Sequence, residues 1–190
     1  MTNEERFKAI FQDQVNRPGA DDLLEWLENA GFFTAPASTK YHGAYPGGLV
    51  EHSLRVYDFL ISSPYAAGTS AESRAICALL HDVCKAEYYE QTDGGGYRVN
   101  DRFPFGHGEK SVYQISRFMY LTDEEALAIR WHAAEAGRFR RRCPSSLLCL
   151  PCIPRICGRR RKNSGGKRHD GAGTAFRESQ TGSSFGGTRR

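Results

Sequence analysis

Four histidines and one aspartate carry the chemistry that this sequence is best equipped to perform. In "ICALLHDVCKAEYY", residues 76–89, His81 and Asp82 stand side by side directly after an apolar run. An ionised carboxylate in such a place is costly to bury unless it is paired, strongly hydrogen-bonded or bound to a metal. His52 precedes His81 by 29 residues, His107 follows it by 26, and His132 follows by a further 25. Each lies near the start or end of a predicted helix, a spacing that suits helices converging on one point. Imidazoles with a neighbouring carboxylate make a hard-to-borderline donor set for a divalent ion such as Mn, Fe, Co, Ni, Zn or Mg. Asp82 has two oxygens and can bridge two ions, with His52 and His81 serving one and His107 and His132 the other. A hydroxide held between such ions is a strong nucleophile near neutral pH.

The elements that must position these groups read as about six helices, with no convincing run of alternating strands. "EERFKAIFQDQV" is amphipathic, and "DDLLEWLENAGF" begins with an acidic first turn and stops at Gly31. A loop rich in Pro, Gly and Tyr, "FFTAPASTKYHGAYPGG", leads into the helix "LVEHSLRVYDFLISS". There His52 falls in the apolar stripe of Leu49, Val56, Phe59 and Leu60 and points inward. His42, in the preceding loop, reads more simply as a packing residue. "SAESRAICALLHDVCKAEYY" predicts one helix, opened by a Ser and a Glu at capping spacing, with Cys77, His81 and Cys84 one turn apart on a single face. "EQTDGGGYRVNDRFPFGHG" predicts an exposed turn or short hairpin, since "DGGG" supplies residues that accept positive φ. "EKSVYQISRFMYL" and "TDEEALAIRWHAAEAG" follow as helices, the second with a Thr cap and an acidic first turn. Glu109 and Arg130 read as surface partners on these last two helices.

At 190 residues and 39% hydrophobic, the chain can build one core of ordinary size. Its net charge of +4 conceals an uneven distribution: from Arg138 onward there are 14 basic residues against two acids, and before it 12 against 20. The expected organisation is therefore an acidic helical domain over 1–137 and a basic, Gly-, Arg- and Cys-rich, poorly ordered tail over 138–190. The N-terminus carries no long apolar core with a cleavage site, so neither a signal peptide nor a membrane span is expected. With Cys77 and Cys84 sharing a helix face rather than forming a disulfide framework, this favours the reducing cytoplasm.

"YHGAYPGGLVEHSLRVY", "ALLHDVCK" and "GHGEKSVYQISRFMYLTDEEALAIRWH" resemble the HD-domain superfamily of metal-dependent phosphohydrolases, and among them small HD proteins of bacterial and prophage genomes. The resemblance covers roughly residues 40–132, and the ordered His, then His-Asp, is its specific part. It implies an all-α HD-type bundle in which His52, His81 and Asp82 are metal ligands and His107 and His132 are the extra ligands of two-metal members. Lys85 is similarly placed to a family lysine near the substrate phosphate, where a point charge stabilises developing phosphoryl charge. The implied activity is hydrolysis of a phosphomonoester or phosphodiester, of a nucleotide or related small molecule, by attack of a metal-bound hydroxide on phosphorus.

The pattern departs from the family after His132. The family's last ligand is an Asp on a later helix ending in something like "LLHLAD", and here the chain runs "GRFRRRCPSSLLCLPCIPRICGRRRKN" instead, with only Asp170 and Glu178 as tail acids. The leading reading of this tail is translation out of frame after about residue 137, since a one-nucleotide shift of "GRFRRR" permits "GGFDD". A native disordered basic tail binding nucleic acid through phosphates, or a small zinc site built from Cys143, Cys149, Cys152 and Cys157, are the alternatives. The rival to the enzyme is thus a catalytically inactive HD scaffold that binds a nucleotide or a partner, with nucleic acid touched by the tail only.

Overall fold

Thr2 opens the first helix, α1 (Asn3–Gln14), with a reciprocal cap: its hydroxyl accepts from the Glu5 amide at 3.1 Å, and Glu5 accepts from the Thr2 amide at 2.7 Å. The computed structural model describes residues 1–39, 43–66, 68–100 and 105–132. His42, the tail cysteines and everything from 133 onward, including the expected tail, lie outside them. α1 buries Phe7 and Phe11, and the Phe7 ring meets Phe32 and Phe33 at 5.2 and 5.3 Å. α2 (Ala20–Asn29) turns Leu23, Leu24 and Leu27 inward and gives way to Gly31, whose φ of 76° lies in the left-handed region that favours glycine. α3 (Gly48–Ser62), α4 (Ala71–Leu80), α5 (His107–Ser116) and α6 (Asp123–Trp131) complete the all-α body.

α4 explains the apolar run in the sequence. Ala75, Ile76, Cys77, Ala78, Leu79 and Leu80 are all fully buried, so this helix has little face left for solvent. Burying each Leu or Ile contributes roughly 1.5–3 kcal/mol. α3 and α1 pack on α4, α6 packs on it from another side, and α5 lies against α6 and against the 3-10 turn Val83–Lys85. Every element that carries a predicted site residue therefore meets near the C-terminal end of α4.

Two local expectations need correction. The helix predicted to continue through Tyr89 ends at Leu80: His81 caps it, and Asp82 at φ −112° and ψ 19° leaves the helical path before the 3-10 turn. Ser70 does cap α4, accepting from the Ser73 amide at 2.9 Å, but Glu72 does not complete the cap. Glu72 instead accepts from the Asn16 amide at 2.9 Å and from Arg17 at 3.3 Å. Beyond the turn, β1 (Tyr89–Gln91) and β2 (Tyr97–Val99) form the short antiparallel hairpin anticipated from "DGGG", with Tyr89 opposite Val99 and Gln91 opposite Tyr97.

A buried ion pair ties the N-terminal segment to the end of the bundle. Glu125 is fully buried in the first turn of α6, where it completes the Thr122 capping box. Its two oxygens accept from the Arg17 guanidinium at 2.6 and 2.8 Å, and one also accepts from the Ser73 hydroxyl at 2.6 Å. Although burial pushes the Glu125 carboxyl up, the hydrogen bonds from Arg17 and Ser73 hold it below the usual value. No described helix is long and apolar enough to cross a membrane.

Candidate metal centre

Three helix ends deliver the cluster. His52 sits one turn into α3, whose start is fixed by a close crossing of backbone: a Cβ on Gly48 would lie 2.1 Å from the Gly43 carbonyl oxygen. That carbonyl in turn accepts from the Ala37 amide at 2.8 Å. His81 and His132 occupy equivalent places, each as the residue that caps a helix, α4 and α6. Each ring turns back on its own helix, His81 Nδ1 lying 2.9 Å from the Ala78 carbonyl oxygen and His132 Nδ1 2.6 Å from that of Ile129. A carbonyl only accepts, so both Nδ1 atoms carry hydrogen, and in a neutral ring Nε2 is then a bare lone pair.

Those lone pairs converge on Asp82. His81 Nε2 lies 3.2 Å and His52 Nε2 3.4 Å from Oδ2, while His132 Nε2 lies 3.1 Å from Oδ1. His52 Nε2 and His81 Nε2 are 3.0 Å apart. Burial pushes the His81 imidazole down to about 4, so it is neutral over the physiological range. Burial alone would raise Asp82, but the Lys85 ammonium, 2.7 Å from Oδ2, holds its carboxyl well below the ordinary range. A neutral His81 thus presents an acceptor to an ionised carboxylate. Two acceptors at this distance repel unless a cation lies between them.

The donor set therefore fits a metal ion. His52, His81 and Asp82, all buried, each offer a ligand atom within 4.8 Å of the others, and this is the group among the described residues that could hold one. His132 adds the second carboxylate oxygen's partner. His107 does not join this group: it opens α5, with Nδ1 3.7 Å from Cys84 Sγ and its ring edge-on to Tyr88 at 5.0 Å between centroids. Lys85 ends the 3-10 turn and is mostly buried. Glu109 and Arg130 do pair on the surface, at 3.1 Å.

No family model matches the chain, and no solved structure is a significant match. The chain is similar to the dihydroneopterin 2',3'-cyclic phosphate phosphodiesterase of Methanocaldococcus jannaschii, 26% identical over 125 residues, which cover 60% of this chain and 48% of that protein. The chain thus spans about half the length of the curated relative it matches. A distant relative is a phosphodiesterase, and the residues that would serve a metal-dependent one are gathered here at a single point.

Sequence reasoning missed the support under the cluster. Ser111, on α5, is fully buried and accepts from the Cys84 amide at 3.2 Å, which pins the 3-10 turn that carries Asp82 and Lys85. No periodicity in the sequence links residues so far apart. Cys77 and Cys84 are both free and fully buried, and burial pushes the Cys84 thiol up to about 12, which makes it an inert packing group.

Proposed function

We propose that this chain is a metal-dependent phosphohydrolase of the HD type, hydrolysing a phosphomonoester or phosphodiester of a nucleotide or related small molecule. The observation that carries the reading is the convergence of the His52, His81 and His132 Nε2 atoms on the two oxygens of one buried carboxylate. The similarity to a phosphodiesterase that acts on a cyclic phosphate supports the phosphoester class.

His52, His81 and Asp82 would hold one divalent ion, of Mn, Fe, Co, Ni, Mg or Zn, and Asp82 Oδ1 with His132 would help hold a second. Such an ion lowers the pKa of a bound water and neutralises charge on phosphoryl oxygens. The protein's own part is positional. The backbone carbonyls of Ala78 and Ile129 fix which nitrogens of His81 and His132 are free to coordinate. Asp82 stays ionised, and His81 stays neutral. Lys85 supplies a positive charge beside Asp82, where a non-bridging phosphate oxygen gains from it as negative charge builds up.

The rival is an inactive HD scaffold, favoured by the absence of an "LLHLAD"-like segment after His132. Elemental analysis of the purified full chain, beside an Asp82→Ala control, separates the two. So does turnover of bis(p-nitrophenyl) phosphate with added Mn. Bound metal that is lost in Asp82→Ala, together with turnover, is the expected result. Folded, helical protein with no metal and no turnover would leave the scaffold reading.

A further inference from the structure

Three residues after Lys85 the chain sets two tyrosines in succession, and neither the hydrophobic core nor the metal cluster accounts for the second. Tyr88 is anchored: its amide donates to the Lys85 carbonyl at 3.3 Å, and its carbonyl accepts from the Asn100 amide at 2.8 Å. Its ring stands edge-on to His107, and the Lys110 ammonium lies 5.4 Å from the ring centre. Tyr89 opens β1, held opposite Val99 by the hairpin ladder. Its ring is edge-on to Tyr88 at 4.9 Å, is only half-buried, and is not part of the apolar core. Tyr89 follows directly on Tyr88, whose amide is bonded to the carbonyl of the residue that pairs with Asp82, so the hairpin begins beside the cluster.

A partly exposed ring already packed edge-on against a neighbour has less entropy left to lose when another flat ring lies on it. The Tyr88 ring stands between His107 and Tyr89, edge-on to both at 5.0 and 4.9 Å. We propose that Tyr89 selects the organic half of the substrate: a planar heteroaromatic ring, of the nucleobase kind, lies against it while the phosphoester reaches the Asp82 cluster. This inference rests on the hydrolase reading above and goes further, because it assigns a specificity-determining residue to the ring-bearing half of the substrate.

The test uses the full chain with Mn and two probes, adenosine 5'-monophosphate and ribose 5-phosphate, titrated by calorimetry. Wild-type protein should prefer the ring-bearing probe, and Tyr89→Leu should lower its affinity by about tenfold, as loss of one aromatic stacking partner does. Ribose 5-phosphate should bind Tyr89→Leu and wild type alike, and Tyr89→Phe should keep the preference. Thermal melts of the variants check that the hairpin is retained. The inference is overturned by wild-type protein with no preference between the probes, or by a Tyr89→Leu variant that weakens both equally or neither. Metal content and turnover of bis(p-nitrophenyl) phosphate, which has no heteroaromatic ring, report on the hydrolase reading separately.

Discussion

The Lys85 ammonium lies 2.7 Å from Asp82 Oδ2, the same oxygen that the His52 and His81 Nε2 atoms approach at 3.4 and 3.2 Å. In the metal-free protein this lysine therefore supplies the positive charge that the buried carboxylate requires, next to the place where a divalent ion would supply it. Lys85→Met removes that charge and keeps the stem. Metal-free Lys85→Met should be less stable than wild type by about 3 kcal/mol, the scale for breaking a buried ion pair by deleting one partner. Saturating Mn should recover most of that loss, because the ion takes over the neutralisation. Urea unfolding in EDTA and in Mn measures both quantities. An equal loss under the two conditions would show that Lys85 and the ion do not share a role.

The metal-free protein should also lose stability on mild acidification. His81 is held at about 4 by burial, against 6.5 for an exposed imidazole. Above 6.5 the ring is neutral in folded and unfolded chains alike. Between 6.5 and 4 the unfolded chain takes up a proton that the folded one refuses, so stability falls with pH across that window by about 3 kcal/mol. Asp82, held below its ordinary 3.8, adds a second loss as pH drops further. Denaturant midpoints at intervals from pH 7 to 4 measure the slope, and His81→Gln should flatten it.

The residues of the cluster were legible because each signal was local. His52 lay in a helical apolar stripe, and His81 with Asp82 ended a run whose complete burial in α4 the sequence already suggested. What the sequence concealed was the break after Leu80. Helical periodicity carried Asp82 onward along α4, whereas its departure from helical φ and ψ is what aims both oxygens at three imidazoles. His107, grouped with the other histidines by its spacing, opens α5, where its ring meets Cys84 and Tyr88.

The Arg17–Glu125 pair joins residues 108 apart that no local pattern connects, although the capping box around Glu125 was readable. Glu125→Gln keeps the shape and removes the charge, leaving the part-buried Arg17 guanidinium with a weaker acceptor and only Glu72, at 3.3 Å, as a charged partner. It should destabilise the fold by about 3 kcal/mol and leave metal content per folded chain unchanged. Thermal melts and elemental analysis on the same preparation check the two halves. A large loss of metal from fully folded Glu125→Gln would mean that this network orients the cluster as well as tying α6 to α4.

Gly108 allows α5 and α6 to touch: a Cβ there would lie 2.0 Å from the Arg130 carbonyl oxygen. Backbone cannot yield as a flexible side chain can, so Gly108→Ala must push the helices apart. Overpacking of this kind costs about 2–3 kcal/mol. Because His132 follows Arg130 by two residues, the displacement should also weaken Mn binding. Lowered stability with unaltered Mn affinity would show that α6 moves without carrying His132 away from Asp82.

If the centre takes a second ion, His132 is the residue that would hold it. Its Nε2 faces Asp82 Oδ1, on the opposite side of the carboxylate from the His52 and His81 pair at Oδ2. If the carboxylate bridges two ions, wild-type protein dialysed against Mn should carry two per chain and His132→Ala one. The retained ion should be the one held by His52 and His81, so that His52→Ala on the His132→Ala background removes it too. His107→Ala, altering a ring that lies outside the close group, should change stoichiometry less than His132→Ala does. Elemental analysis with electron paramagnetic resonance of bound Mn distinguishes coupled pairs from single ions. One ion in both wild type and His132→Ala would show that Asp82 does not bridge two ions and that His132 holds none of its own.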